Sequence, residues 1–138
     1  MSSGYNNLLN GRAKETVPAT IELPVAELLM RGRELVRFLR SHGELHWSEW
    51  LQDSLEIVRR DPRHGVVIML DGFEGIGAIT DIYLCPEAGH RLAGHEENAI
   101  NEELLLQVSR VYTLVRELGD FVDADSLRRA RAASHYRL

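Results

Sequence analysis

Ile100, Leu104, Val108, Val111, Val115 and Leu118 recur at intervals of four, four, three, four and three positions, the period of one face of an α-helix. No other feature of the chain narrows its fold so far. An amphipathic helix draws most of its stability from burying its apolar stripe, so a stripe this long requires other elements to cover it. Leu105 and Tyr112 broaden the stripe. The spacing predicts a helix from about Glu96 to Leu118, stopped by Gly119. Asp123 then caps a short last helix, Ala124 to about His135.

The covering elements are also helical. Val25, Leu28, Leu29, Leu35, Val36 and Leu39 form a stripe that begins near Pro24, where proline suits a first helical turn. Gly43 ends it. A second helix runs from about Glu44 to Arg60, burying Trp47, Trp50, Leu51, Leu55 and Val58, and Asp61-Pro62 closes it. The short link at Gly43 makes the two antiparallel neighbours or a tight corner. Val66 to Leu70 is an unbroken apolar run with no partner strand in sight, so it is read as a short helix from about Arg63 to Asp71. Ala78 to Leu84 adds a helical turn with Thr80 or Asp81 as its cap, and Pro86 to Gly94 is a loop. The expectation is an all-α fold: a compact bundle of about five helices with a Gly-rich central crossing segment. Residues 1–20 read as a loosely ordered N-terminal arm and 21–138 as a single helical domain.

Asp71 to Leu84 is the densest glycine segment and carries Asp71, Glu74 and Asp81. Its order, G-x-x-G-x-G at Gly72, Gly75 and Gly77, is neither the dinucleotide fingerprint nor a phosphate loop, and the chain's one lysine is Lys14. Glycines that let helices cross closely explain it better. The carboxylates are equally explained by capping and solvation. The six histidines match no metal-ligand spacing, and His42 and His46 are parted by Gly43. Cys85 has His90 close in sequence, but Asp81 and Glu87 make its surroundings acidic, unlike those of a reactive thiolate. No catalytic residue, cofactor or metal is expected.

Composition decides among partners. A formal net charge of -5 argues against nucleic acid and anionic membrane, which demand a basic surface. The single cysteine excludes an internal disulfide framework and suits a reducing compartment. With no signal segment visible and no apolar run of spanning length, a cytoplasmic location is expected. Between Glu87 and Glu103 the acids Glu87, Glu96, Glu97, Glu102 and Glu103 face Arg91 alone. Such a face steers a basic partner. Asp71, Glu74 and a half-exposed Trp50 complete the expected partner-binding set, tryptophan being a strong interface anchor.

The segments His46-Trp-Ser-Glu-Trp-Leu51, Gly72-Phe-Glu-Gly-Ile-Gly77 and Thr80-Asp-Ile-Tyr-Leu84 together resemble a family of short bacterial proteins of unknown function. In that family a helix-borne His-Trp-x-x-Trp-Leu precedes a Gly-Gly-Met-Gly-Ser-Phe-Asn-Asp-like turn. Here Phe73-Glu74 interrupts the glycine pair, Ile76 stands for methionine, and Ala78-Ile79-Thr80 replaces the polar run, which weakens ligand binding by the turn. The resemblance spans roughly Leu28 to Leu118. It implies an association with immunity proteins encoded beside antibacterial toxins. The expected function is therefore a non-enzymatic immunity protein that occludes the active site of a cognate toxin. The alternative is a small-molecule- or metal-binding domain, or a small enzyme, using the glycine turn with its carboxylates and His46.

Overall fold

Among the described residues four α-helices follow one another around a shared core: α1 (Ala19–Ser41), α2 (Leu45–Arg60), α3 (Pro62–Phe73) and α4 (Glu97–His135). They come from a computed structural model that describes residues 19–74 and 77–135, with side chains described over 22–74 and 77–123. The expected arm lies almost wholly outside the described residues. Three short 3-10 turns, Ile79–Asp81, Pro86–Ala88 and Gly94–Glu96, punctuate the passage from α3 to α4. The all-α expectation holds, and no strand occurs among the described residues.

The helices pack in a ring. α2 lies between α1 and α3, and α4 closes the ring by touching α3 and α1. Contacts fix the directions: Arg40 meets Gln52 while Gly32 meets Leu55, so α1 and α2 are antiparallel. Phe73 meets Tyr112 while Leu70 meets Gly119, so α3 and α4 are antiparallel as well. The core collects Leu28, Leu35, Leu39, Leu51, Leu55, Val58, Val66, Met69 and Phe73. The α4 stripe completes it, with Leu104, Val108, Val111, Val115 and Leu118 all buried.

Local chemistry sets the helix ends. Gly43 takes φ +79, the left-handed conformation that ends α1, and the Glu44 side chain caps α2 by accepting from Trp47 N–H. Asp61 caps α3 in the same way through His64 N–H, with Pro62 at the first helical position. The apolar run Val66–Leu70 is helical as expected, although its pattern is less continuous than its sequence: Val66 and Met69 are buried while Val67 is exposed.

Three boundaries differ from the sequence reading. α1 starts at Ala19, so Pro24 lies inside it. So close to the N-terminus, its missing N–H removes a single hydrogen bond. The turn Ile79–Asp81 has Ala78 at its N-cap and no side-chain cap; Asp81 instead accepts from Gly77 N–H at 2.9 Å. Gly119 does not stop the long helix, and Asp123 starts no new one: α4 runs unbroken for 39 residues. A Cβ on Gly119 would lie 2.8 Å from Leu70 Cδ1, so this glycine lets α3 approach α4. The expected two C-terminal helices are one, which makes four α-helices among the described residues where about five are expected.

Close crossing by glycine does occur, but it is spread over the bundle. A Cβ on Gly72 would lie 2.0 Å from Trp50 Cζ2, and one on Gly65 would lie 2.5 Å from the Val58 backbone. Gly77 is a turn residue at φ +76 with open space around it. Gly75 lies outside the described residues.

Candidate partner-binding site

Asn101, on the second turn of α4, holds the chain segment that precedes it. Its Oδ1 accepts from Leu84 N–H at 2.8 Å, and its Nδ2 donates to Leu84 O at 2.8 Å and to Glu97 O at 2.9 Å. This clamp lays residues 79–84 along α4 with Ile79 and Leu84 turned into the core. Tyr83 is left outside, 52% exposed, its hydroxyl donating to Glu97 Oε2 at 2.8 Å.

Between this segment and α4 runs a groove of about 470 Å³. Ile79, Leu104 and Val108 form its buried floor, with Ile82 beside them. Tyr83 and Leu105, the latter 66% exposed, wall it. Asn98, Glu102 and Ser109 line its rim, and Tyr112 closes the far end. Tyr112 is stacked on Phe73 at a 10° interplanar angle and donates to Glu74 Oε2 at 3.0 Å. The hydrogen bond to Glu97 raises the Tyr83 phenol above its ordinary value, with desolvation and the Glu97 charge adding to it. Glu74 does the same to Tyr112.

Of the acids expected to form one face, Glu102 lines the groove, while Glu97 and Glu74 reach it through the two tyrosine hydroxyls. The others are scattered. Glu103 accepts from Gln107, Glu96 accepts from Ala93 N–H in its own turn, and Glu87 is exposed on the Pro86–Ala88 turn. Asp71 is exposed on α3. Trp50 is half-buried, its ring over Gly72 and tilted against Phe73.

Tyr83, Leu105 and Asn101 are groove residues the sequence reading did not select. Leu105 was assigned to the core stripe and is instead exposed. Three successive leucines, 104 to 106, carried the signal: they spread over about 200° of a helix, so one stripe cannot bury them all. Only Leu104 is buried.

A second constellation joins α2 to the loop before α4. His90 Nε2 and Glu44 Oε1 are 2.9 Å apart, and His90 Nδ1 accepts from Cys85 N–H at 3.1 Å. Because Nδ1 is an acceptor, the ring proton sits on Nε2 and is donated to Glu44. The other Glu44 oxygen accepts from Trp47 N–H. Both ring nitrogens are therefore engaged, and it is the Cys85 backbone N–H that His90 meets. Beside the pair lies an open cleft of about 300 Å³ where His46 and Asp81 come together with Gly77. Asp71 and Glu74 do not line it. Among the described residues no three His, Cys, Asp or Glu side chains are grouped to hold a metal ion.

A family model described as a domain of unknown function, DUF6966, matches residues 40–93. The match runs from the end of α1 through the loop before α4, and includes all three segments that carry the sequence resemblance. No curated protein and no solved structure matches the chain. None of the helices among the described residues is long and apolar enough to cross a membrane.

Proposed function

We propose that this chain is a non-enzymatic binding protein whose groove between residues 79–83 and α4 receives a basic segment of another protein, and that it acts as the immunity partner of a bacterial toxin. One observation carries the reading. An apolar floor flanked by exposed Tyr83 and Leu105 is bordered by the carboxylates of Glu74, Glu97 and Glu102. Exposed apolar surface rimmed by charge is the anatomy of a protein interface, and the acidic rim selects a basic partner. Tyr83 and Leu105 anchor the partner while the carboxylates orient its cations. Inhibition follows if those cations line the toxin's active site. The toxin itself is suggested by the sequence resemblance.

The test is growth of cells that express the toxin encoded beside this gene, with and without the chain. Wild type restores growth, and a Leu105→Arg/Glu102→Arg variant that folds normally does not. Undiminished rescue by the variant removes the groove from the interface; no rescue by wild type removes the immunity role.

The cleft that joins His46, Asp81 and Gly77 favours a second reading, a small-molecule or metal site at the glycine turn. A ligand that prefers the folded state raises the melting temperature. A shift from a nucleotide or divalent-metal panel that disappears in His46→Ala supports it, and a flat panel leaves it without support.

A further inference from the structure

Three arginines of α1 converge on a cleft remote in sequence from the groove. Arg33, Arg37 and Arg40 stand at i, i+4 and i+7 on one helix face. With Gln52 and Glu56 of α2 they line a space of about 330 Å³ over the buried side chains of Val36 and Leu55. Arg40 Nη2 donates to Gln52 Oε1 at 2.6 Å, which anchors one guanidinium across the cleft. Arg33 and Arg37 make no hydrogen bond or ion pair among the described residues.

The facing carboxylate does not balance this charge. Glu56 already accepts from Arg59 through both Nε and Nη2, and Arg60 approaches it to 3.7 Å. The Arg59 hydrogen bond holds the Glu56 carboxyl below its usual range against an opposing desolvation, with the charges of Arg59, Arg60 and Arg33 adding to the effect. Arg33, Arg59 and Arg60 thus bear on one carboxylate that Arg59 already occupies, in a chain of net charge -5. Arg33 and Arg37, one helical turn apart, repel each other, and the acid between them in the chain, Glu34, is paired with Arg31.

We propose that the α1–α2 cleft binds a compact oxyanion, a phosphoryl or carboxylate group, gripped by Arg33 and Arg37 with Arg40 as the third cation. A guanidinium fork matches two oxygens of such a group, and each hydrogen bond is charge-assisted. The apolar floor limits hydration beneath the ligand and strengthens those bonds. Acids next to the lining residues, half-buried Glu34 on α1 and exposed Glu49 and Asp53 on α2, repel a long polyanion. The site therefore suits one small anionic group rather than nucleic acid.

Calorimetric titration of the full chain with pyrophosphate and, separately, with citrate at low ionic strength tests this. Saturable one-to-one binding of either is expected; pyrophosphate alone marks a phosphoryl ligand and citrate alone a carboxylate. Arg33→Gln/Arg37→Gln should weaken that binding at least about tenfold, and Arg33→Lys/Arg37→Lys, which keeps charge but loses the fork, should fall between. Glu102→Arg, in the groove, should leave it unchanged. No saturable binding of either anion by wild type, or equal binding by the Gln double variant, overturns the proposal. Both arginines are exposed, so their loss leaves the fold in place for the comparison.

Discussion

Glu44 Oε1 and His90 Nε2 lie 2.9 Å apart although 46 positions separate the residues, and their side chains are only 14% and 10% exposed. The pair fastens the loop before α4 to the N-terminus of α2. His42 and Arg91 reinforce the same joint: Arg91 N–H donates to His42 O at 2.8 Å, and His42 Nδ1 donates to Arg91 O at 2.8 Å. The Asn101 clamp holds Leu84 and this joint holds the loop that follows it, so both fix the C-terminal end of residues 79–84, which wall the groove.

Glu44 both caps α2 and holds His90, so its removal should be felt twice. Glu44→Ala is expected to destabilise the chain by about 3 kcal/mol, from the lost cap and the unpaired imidazole together. Glu44→Gln keeps one acceptor and should cost about half as much. Urea unfolding at constant slope measures both. If neither variant moves the midpoint, the pair does not hold the loop.

The glycines should separate by what a methyl group meets. At Gly65 it meets the Val58 backbone at 2.5 Å, which cannot move without parting α2 from α3. At Gly72 it meets the Trp50 ring at 2.0 Å, and at Gly119 the end of Leu70 at 2.8 Å. Overpacking typically costs about 1–3 kcal/mol, so Gly65→Ala and Gly72→Ala should both destabilise by that amount or more. At Gly119 a small Leu70 shift is offset by the roughly 0.5–1 kcal/mol gained when alanine replaces a helical glycine, so Gly119→Ala should be near neutral. Melting temperatures that rank Gly119→Ala worst would contradict the crossing geometry.

Asn101 offers both a donor and an acceptor to Leu84 from one carboxamide, a group that only glutamine shares, one methylene further from the backbone. Asn101→Asp can still accept from Leu84 N–H but turns an oxygen toward two carbonyls. Asn101→Ala and Asn101→Asp are each expected to cost about 1–3 kcal/mol and to speed hydrogen exchange at the Leu84 amide. Unchanged exchange there would show that the 79–84 segment is held by packing alone.

The periodicity of α1, α2 and α4 was legible because each buries one continuous stripe; Leu28, Leu51 and Val108 are as deep as their spacing implied. What escaped depended on neighbours. Gly119 resembles a helix stop until Leu70 is seen against it, and Leu105 resembles core until its face is seen to border the groove. The site was legible only as charge. Glu97 and Glu102 stood out, but Tyr83 and Asn101 became significant only once the loop was laid on α4.

The groove tyrosines make a pH signature whose sign is fixed by their partners. Tyr83 and Tyr112 each donate to a carboxylate, Glu97 and Glu74, and both phenols are raised above the ordinary value of 10.0. A raised folded-state value favours the protonated form in the fold. The contribution is therefore complete below about pH 10 and is lost as pH climbs through the higher folded values. Both hydroxyls are solvent-facing, so the signature is in the titration rather than in a large stability change. Ultraviolet phenolate titration of wild type should show a late-ionising component; Glu97→Gln should return one tyrosine toward its ordinary value, and Glu74→Gln the other. Single-variant differences remove the contribution of Tyr5 and Tyr136, which lie outside the described residues. Identical curves for Glu97→Gln and wild type would mean that the Tyr83 hydroxyl does not hold Glu97 at the rim, and would withdraw that carboxylate from the proposed interface.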